Sequence, residues 1–240
     1  MFNLVYSEIL KLKKSKTILF IILISIFFPA LECVLTPFNT EGQIWLTYAG
    51  GAEDLTFGFV GTIAFILLSS HIFIREYSYD TVKLMYSYPL SKISIFISKL
   101  FTIYIIIALI YILHFTILFG GGLLVIHKPL TKIFFLSHAS AYVISMMLEF
   151  SIVPLIIFLI NILKNTAASI FIAVVTLTLN FFMYQTKRNS YWPLMLPYIP
   201  IRKLQISQFV DLMPSIKLGI ITAIVGILLC IFQLSKERDI

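Results

Sequence analysis

Two titratable side chains, Glu149 and His114, lie in the middle of long, almost uncharged runs of the sequence. An ionised carboxylate in an apolar segment is costly, so Glu149 should face protein or a water-filled cavity. His114 is a candidate partner for it. Two interpretations stay open: both residues mark a translocation pathway that binds a cationic substrate, or Glu149 is a protonated or hydrogen-bonded group that holds two helices together.

No catalytic or metal-binding motif accompanies these residues. The sequence lacks a GxxxxGK[ST] phosphate-binding loop, an HExxH motif, a GxSxG motif and any Cys/His cluster with zinc spacing. Its four histidines are scattered over different segments, and Cys33 and Cys230 lie near opposite ends of the chain. We therefore predict that the chain is not an enzyme and that it holds no metal or cofactor of its own.

The composition places the chain in a membrane. Of its 240 residues, 60% are hydrophobic and 12% are charged, whereas soluble domains have about 25% charged residues. Apolar runs of the length that crosses hydrocarbon recur along the whole sequence. We predict one all-α transmembrane domain over residues 1–240, with six spans at about 17–35, 55–74, 100–120, 138–161, 166–185 and 215–234.

Residues 1–16 are too short and too charged to span a membrane. They place apolar residues on one helical face and charged residues, including Glu8 and Lys11, on another. This pattern predicts a helix that lies in the membrane interface. The alternative is a basic flank that only orients the first span.

The longest polar interval on the predicted inner side runs from Arg75 to Lys99. Aromatic and charged residues alternate over 76–88, which predicts a short amphipathic helix that docks in a groove of a soluble partner. An ordinary solvated loop is the alternative. The candidate contact residues are Glu76, Tyr77, Tyr79, Asp80, Thr81, Lys83 and Met85.

The distribution of basic residues predicts that both termini are cytoplasmic. Eleven of the 18 Lys and Arg residues fall on the side of the N-terminus and seven on the other side. Region 186–214 then lies outside, and its aromatic residues and prolines predict an interfacial, partly re-entrant segment. Glu53 and Asp54 open span 2 from the outside, where they either complement the helix dipole or act at an outer gate.

The patterns Glu8-xx-Lys11 and Arg75-Glu76 resemble the membrane subunit of type 2 ABC exporters, together with the later loop residues Thr81, Lys83, Pro89, Leu90, Ser91 and Lys99. The small size and the lack of a fused ATPase make the chain similar to permeases of Gram-positive bacteria. Among these are permeases for phenol-soluble modulin export, lantibiotic immunity and bacitracin resistance.

The resemblance implies a multi-pass protein of the bacterial plasma membrane that pairs with a second, identical or related permease. It implies two copies of a separate ATPase subunit, which would bind ATP and Mg. Residues 76–88 would be the coupling helix, 1–16 the elbow helix and 188–214 the outer re-entrant helices, where Asp211 is the available acid. No nucleic-acid partner is implied.

The expected cargo is an amphipathic or antimicrobial peptide or a hydrophobic drug, since the spans carry few charges. Two alternatives remain. The chain could be a membrane partner that anchors or senses through an ATPase without transporting, or it could export lipid-like substrates.

Overall fold

The computed structural model describes residues 2–13, 15–36, 45–78, 90–126, 128–186, 189–205 and 211–236. Within these ranges the chain forms helices and no strand, which confirms the all-α prediction. Nine α-helices are present in this part of the chain: α1 Phe2–Leu12, α2 Lys16–Leu35, α3 Trp45–Glu53, α4 Gly61–Ser78, α5 Lys92–Val125, α6 Lys132–Leu163, α7 Thr166–Tyr184, α8 Ile199–Gln205 and α9 Met213–Lys236.

The prediction of six membrane-crossing segments is also confirmed. Six helical segments of the described chain are long and apolar enough to cross a bilayer: α2, the continuous segment Trp45–Tyr77, α5, α6, α7 and α9. Helix α5 has 34 residues and is therefore about 50 Å long, against about 30 Å of hydrocarbon. It begins at Lys92 rather than after Lys99, so it projects well beyond the bilayer core.

The second crossing segment is not a regular α-helix. A π-helical stretch, Asp54–Val60, joins α3 to α4. Because a π turn holds an additional residue, it shifts the direction in which the following side chains point, and such turns are frequent at functional sites.

Helices α6 and α9 pack closely because α9 presents small residues to α6. A Cβ atom on Gly226 would lie 2.6 Å from the backbone nitrogen of Leu155, and one on Gly219 would lie 2.7 Å from Leu148. In a membrane, small residues of this kind let two helix backbones approach each other.

Pro154 interrupts the hydrogen bonding of α6, and another helix compensates for it. A proline has no N–H group, so the carbonyl four residues earlier, that of Phe150, has no intrahelical donor. The Tyr104 hydroxyl of α5 donates to that carbonyl at 3.0 Å. The carbonyl group that Pro154 leaves without an intrahelical donor is thus hydrogen-bonded within the bundle.

Residues 189–205 form a cap on one end of the bundle. The cap consists of two 3₁₀ turns, Asn189–Tyr191 and Pro193–Tyr198, followed by α8. Leu196, Ile199 and Ile201 are fully buried, so the cap is part of the packed core. We call this the cap end, and the opposite end, which carries α1, the elbow end. In the predicted orientation the elbow end is cytoplasmic.

Candidate functional site: two polar clusters

The elbow end holds a cluster of four charged residues. The Lys11 ammonium lies 2.5 Å from Glu8 Oε1 and 3.2 Å from Glu76 Oε1. The other oxygen of Glu76 forms an ion pair with Lys99. We call Glu8, Lys11, Glu76 and Lys99 the elbow cluster. It joins α1, the last turns of α4 and the first turns of α5.

The sequence spacing explains how the cluster forms. Glu8 and Lys11 are three residues apart, so they are neighbours on one face of α1. Lys99 is able to meet Glu76 because α5 begins early and passes the end of α4. Arg75 Nη1 donates to the Lys11 carbonyl at 2.6 Å, and this bond fixes the end of α1 to α4.

The charges in the elbow cluster balance one another. The side chains of Lys99 and Glu76 are only 4% and 11% exposed, so each charge requires its partner. Burial alone lowers the pKa of Lys11, but the carboxylates of Glu8 and Glu76 outweigh it and raise the pKa above its usual value. Lys11 is therefore positively charged at neutral pH.

The structure describes only part of the predicted coupling segment. Tyr79, Asp80, Thr81, Lys83 and Met85 lie outside the described residues. Glu76 faces the elbow cluster, where it is buried.

Tyr77 lies beneath Lys164, whose Nζ is 4.8 Å from the ring centroid. The assignment of Glu76 and Tyr77 to coupling with an ATPase, and of Glu8 and Lys11 to an elbow helix, stays a prediction.

The structure does not bring Glu149 and His114 into contact. His114 Nδ1 lies 3.0 Å from the Tyr142 hydroxyl and Nε2 lies 3.0 Å from Thr56 Oγ1. A neutral imidazole can donate through one nitrogen and accept through the other, so this buried histidine is fully satisfied. Its assignment to a translocation pathway stays a prediction.

Glu149 is also buried, at 4% exposure. Among the described residues its carboxylate forms no ion pair, and it interacts electrostatically with the Tyr111 hydroxyl. Tyr111 itself lies 3.2 Å from Ser145 Oγ. The assignment of Glu149 to a translocation pathway, like the alternative that it holds two helices together, stays a prediction.

Asp54, at the start of the π-helical stretch, attaches the spans to the cap. The Tyr198 hydroxyl donates to Asp54 Oδ1 at 2.7 Å, and the Tyr184 hydroxyl donates to Oδ2 at 3.3 Å. Burial makes the largest contribution to raising the pKa of Tyr198, and the neighbouring Tyr184 and Asp54 raise it further. The hydroxyl therefore remains a proton donor to Asp54.

Further hydrogen bonds join the cap to the spans. Trp192 Nε1 donates to Asn180 at 2.9 Å, and Asn180 in turn donates to Thr62 at 3.2 Å. Arg202 donates to the Tyr184 carbonyl at 2.7 Å, and Ser145 donates to the Pro197 carbonyl. Asp54 with these bonds forms what we call the cap network, which holds residues 189–205 against α4, α6 and α7.

Sequence reasoning missed most of the cap network. Asn180 and Trp192 are single polar or aromatic residues within apolar surroundings, and nothing in their spacing reveals that they meet. The one available signal was the pair Glu53 and Asp54 at the start of an apolar run, for which a dipole role and a gate role were both open. The observed bonds to Tyr184 and Tyr198 show what Asp54 contacts.

Neither cluster has the composition of a catalytic or metal centre. Within the ranges that the structure describes, no three His, Cys, Asp or Glu side chains converge to hold a metal ion. The elbow cluster pairs acids with bases, and the cap network pairs donors with acceptors. Both arrangements are suited to linking elements of the bundle.

Comparison with known proteins shows the family to which the chain belongs. A family described as ABC-2 family transporter protein matches residues 4–180. The bacitracin transport permease protein BCRB of Bacillus licheniformis is 25% identical over 134 residues, which cover 56% of this chain and 64% of that protein. The match thus spans somewhat less than two thirds of that relative. With six apolar helices, the family match indicates a multi-pass membrane protein, located in the plasma membrane in bacteria.

Proposed function

Because the chain belongs to the ABC-2 family of transporter proteins, we propose that it is the permease subunit of an ATP-driven exporter of amphipathic or antimicrobial peptides or hydrophobic drugs. The resemblance drawn from the sequence patterns is confirmed by this family membership. The cargo, the partner ATPase and the second permease belong to the proposal.

The elbow cluster is the observation that carries the proposal. The predicted contact with the ATPase covers residues 76–88, and its first residues belong to the last turn of α4, whose described part ends at Ser78. Glu76 is paired with Lys11 of α1 and with Lys99 of α5. A displacement of Glu76 would therefore be transmitted to α5, since it would separate the buried Lys99–Glu76 pair, and to α1, which Arg75 holds through the Lys11 carbonyl.

The surface of α1 fits an elbow helix that lies in the interface. Its cluster residue Glu8 is 7% exposed, whereas Phe2 is 92% and Tyr6 is 63% exposed. Glu8 thus faces protein, and apolar side chains of α1 remain free to enter the membrane surface.

The apolar character of the bundle supports the proposed cargo. Helices α2, α7 and α9 bury few of their residues within the chain, and many of their apolar side chains are exposed, which suits lipid, a second permease or a membrane-dissolved cargo. Glu149 gives this cargo a candidate countercharge, because the described residues provide its carboxylate with no cation. The relative named for bacitracin transport supports a drug-like or peptide cargo.

The test is peptide-stimulated ATP hydrolysis. The chain would be co-purified with the ATPase subunit encoded beside it, placed in lipid nanodiscs and titrated with a cationic amphipathic peptide. We expect ATP hydrolysis to rise with peptide, and a Tyr79→Ala/Thr81→Arg variant to lose both the ATPase subunit and the stimulation. Tyr191→Ala, which alters a tyrosine exposed at the cap end, is the control and should keep both.

Two outcomes would contradict the proposal. Failure of any ATPase to co-purify would remove its basis and favour a membrane protein that does not transport. Hydrolysis that is indifferent to peptide but responds to lipid would favour the export of lipid-like substrates.

A further inference from the structure

A pocket of about 530 Å³ opens at the cap end, beside the connection between α5 and α6. Its volume is within the range of about 300–1,000 Å³ that is typical of sites for small molecules. Neither the elbow cluster nor the cap network contributes a residue to its lining. The apolar part of the lining consists of Trp45, Leu46, Pro129, Phe134 and Leu204.

The pocket lies at the level where acyl chains meet lipid headgroups. Leu124 near the end of α5 and Ile133 near the start of α6 are both strongly exposed. Because α5 and α6 are membrane-crossing segments, these side chains indicate that hydrocarbon extends to the ends of both helices. The connection between the helices is then at the membrane interface, where tryptophan and lysine side chains are common.

The aromatic wall of the pocket fixes the backbone of Lys128. Trp45 Nε1 donates to the Lys128 carbonyl at 3.0 Å, and the Trp45 ring stacks on Phe119 with centroids 6.2 Å apart. Gly122 makes this position of the indole available, because a Cβ atom there would lie 2.6 Å from the ring. The Lys128 side chain therefore starts from a fixed point in the lining.

The accessible polar groups of the pocket suit an anion. Lys128 is exposed and supplies the one permanent charge among the described residues of the lining. Thr131 Oγ1 accepts from the Phe134 N–H at 3.4 Å, and its own hydroxyl hydrogen, which no described residue accepts, is able to bond a ligand. Thr131 is also the N-cap of α6, where the helix dipole adds to the preference for negative charge.

Two further lysines adjoin the lining in the chain. Lys132 follows Thr131, and Lys203 precedes Leu204. Both lysines are exposed, and neither forms an ion pair within the described part of the chain. Glu53 is fully buried and does not line the pocket. The mouth of the pocket is therefore positively charged, and its wall is apolar.

We propose that this pocket binds an anionic phospholipid of the adjacent leaflet. The phosphate bonds to Lys128 and Thr131, and the charges of Lys132 and Lys203 strengthen the attraction. One acyl chain enters the pocket and lies against Trp45. A phospholipid fits because its charge and its apolar chain adjoin at the same depth of the membrane as the positive mouth and the apolar wall. The inference goes beyond the proposed function and does not rest on it.

The test uses the full chain in phosphatidylcholine nanodiscs without any ATPase. The nanodiscs contain increasing fractions of either brominated phosphatidylglycerol or brominated phosphatidylcholine, since bromine quenches tryptophan fluorescence at short range. The chain has two tryptophans, and Trp45 is the one that lines the pocket. Trp192→Phe isolates its signal. If that variant does not fold, subtracting the signal of Trp45→Phe from that of the wild type gives the same quantity.

We expect half-maximal quenching of Trp45 at a fraction of phosphatidylglycerol at least about fivefold below that of phosphatidylcholine, the factor that one lysine contributes near an anionic lipid. The triple variant Lys128→Gln/Lys132→Gln/Lys203→Gln should remove this preference. Lys217→Gln is the matched control and should retain it, since Lys217 is an exposed lysine that lines a different pocket.

Ser137→Phe separates binding in the pocket from attraction to the charged surface. Ser137 is part of the lining, so a bulky side chain there fills the pocket and keeps every lysine. We expect this variant to lose the preference for phosphatidylglycerol as well.

Equal quenching by the two lipids would overturn the proposal, as would a preference that survives the triple lysine variant. A preference that survives Ser137→Phe would place the lipid outside the pocket and would also overturn it. Reversal of the quenching by inorganic phosphate would identify a soluble anion, rather than a lipid, as the ligand.

Discussion

Buried carboxylates have different kinds of partners at the two ends of the bundle. At the elbow end, Glu76 lies between the ammonium groups of Lys11 and Lys99. At the cap end, Asp54 accepts hydrogen bonds from two tyrosines, and Glu53 lies beside the donors Tyr142 and Gln205. The elbow end therefore compensates a buried carboxylate with opposite charges, and the cap end does so with neutral donors.

This contrast teaches which contacts hold each end of the bundle. Separating the buried Lys99–Glu76 pair is costly, so α4 and α5 should move as one body at the elbow end, and the bond from Arg75 to the Lys11 carbonyl keeps α1 with them. At the cap end, the attachment depends on hydrogen bonds from neutral tyrosines to Asp54. The four predictions below test this comparison, from the largest expected effect to the smallest.

Glu76→Gln should have the largest effect, because it leaves the buried Lys99 ammonium without its counterion. We expect a loss of about 3 kcal/mol in the free energy of unfolding, measured by thermal or denaturant unfolding of the purified protein in detergent. The double variant Glu76→Leu/Lys99→Leu should recover most of that loss. A loss below about 1 kcal/mol in the single variant would show that the elbow end does not depend on this pairing.

Tyr198→Phe should weaken the attachment of the cap by about 2 kcal/mol, the usual worth of a hydrogen bond to a charged group. The bond to Asp54 is lost, and the ring remains to fill its space. Tyr184→Phe is the matched control and should cost less, since its bond to Asp54 is 3.3 Å rather than 2.7 Å long. Hydrogen exchange of residues 193–205 would report the change, and the opposite order of effects would contradict the observed geometry.

Lys11→Met should cost no more than about 1 kcal/mol, because the Lys11 side chain is 43% exposed and solvent screens its ion pairs. The raised pKa of Lys11 determines how its contribution to the free energy of unfolding depends on pH. Its contribution should be complete below the ordinary value of 10.5 and should be lost as the pH rises through the folded-state value. The measurement is the unfolding of the wild type and of Lys11→Met at neutral and at alkaline pH. A stability difference between them that grows as the pH rises would contradict the prediction.

Glu149→Gln should have the smallest effect on stability, because its carboxylate has no ion-paired partner among the described residues. Neutralising a buried, unpaired carboxylate removes a desolvation cost, so we expect no loss and a gain of up to about 1 kcal/mol. The measurement is the same unfolding experiment as for Glu76→Gln. A loss comparable to that of Glu76→Gln would erase the difference between the two ends.

Much of the fold could be predicted from the sequence, because the signals are local. Uninterrupted apolar runs of span length indicate crossing helices whatever their neighbours are, and the spacing of Glu8 and Lys11 places both on one face of a short helix. The described structure has six such helices and an N-terminal amphipathic helix. The helix ends were less predictable: α5 begins at Lys92 because Ser91 caps it, accepting from the Ser94 N–H.

The candidate sites depended on contacts that spacing does not encode. Glu149 and His114 were paired in prediction because both are rare polar residues in the middle of spans. The structure instead gives His114 the hydroxyls of Thr56 and Tyr142. The choice of partner was made by the rotation and tilt of each helix, which are set by packing between helices.

By itself, then, the sequence determined that this protein is an all-helical membrane protein with a short amphipathic helix, α1, near its N-terminus. These properties follow from transfer free energy and helical periodicity, which act over short stretches of chain. Only the tertiary structure decided that Glu76 lies between two lysines, that Asp54 holds the cap, and that Glu53 faces His138. The physical reason is that each of these contacts joins residues from different helices, and their meeting depends on how the helices pack.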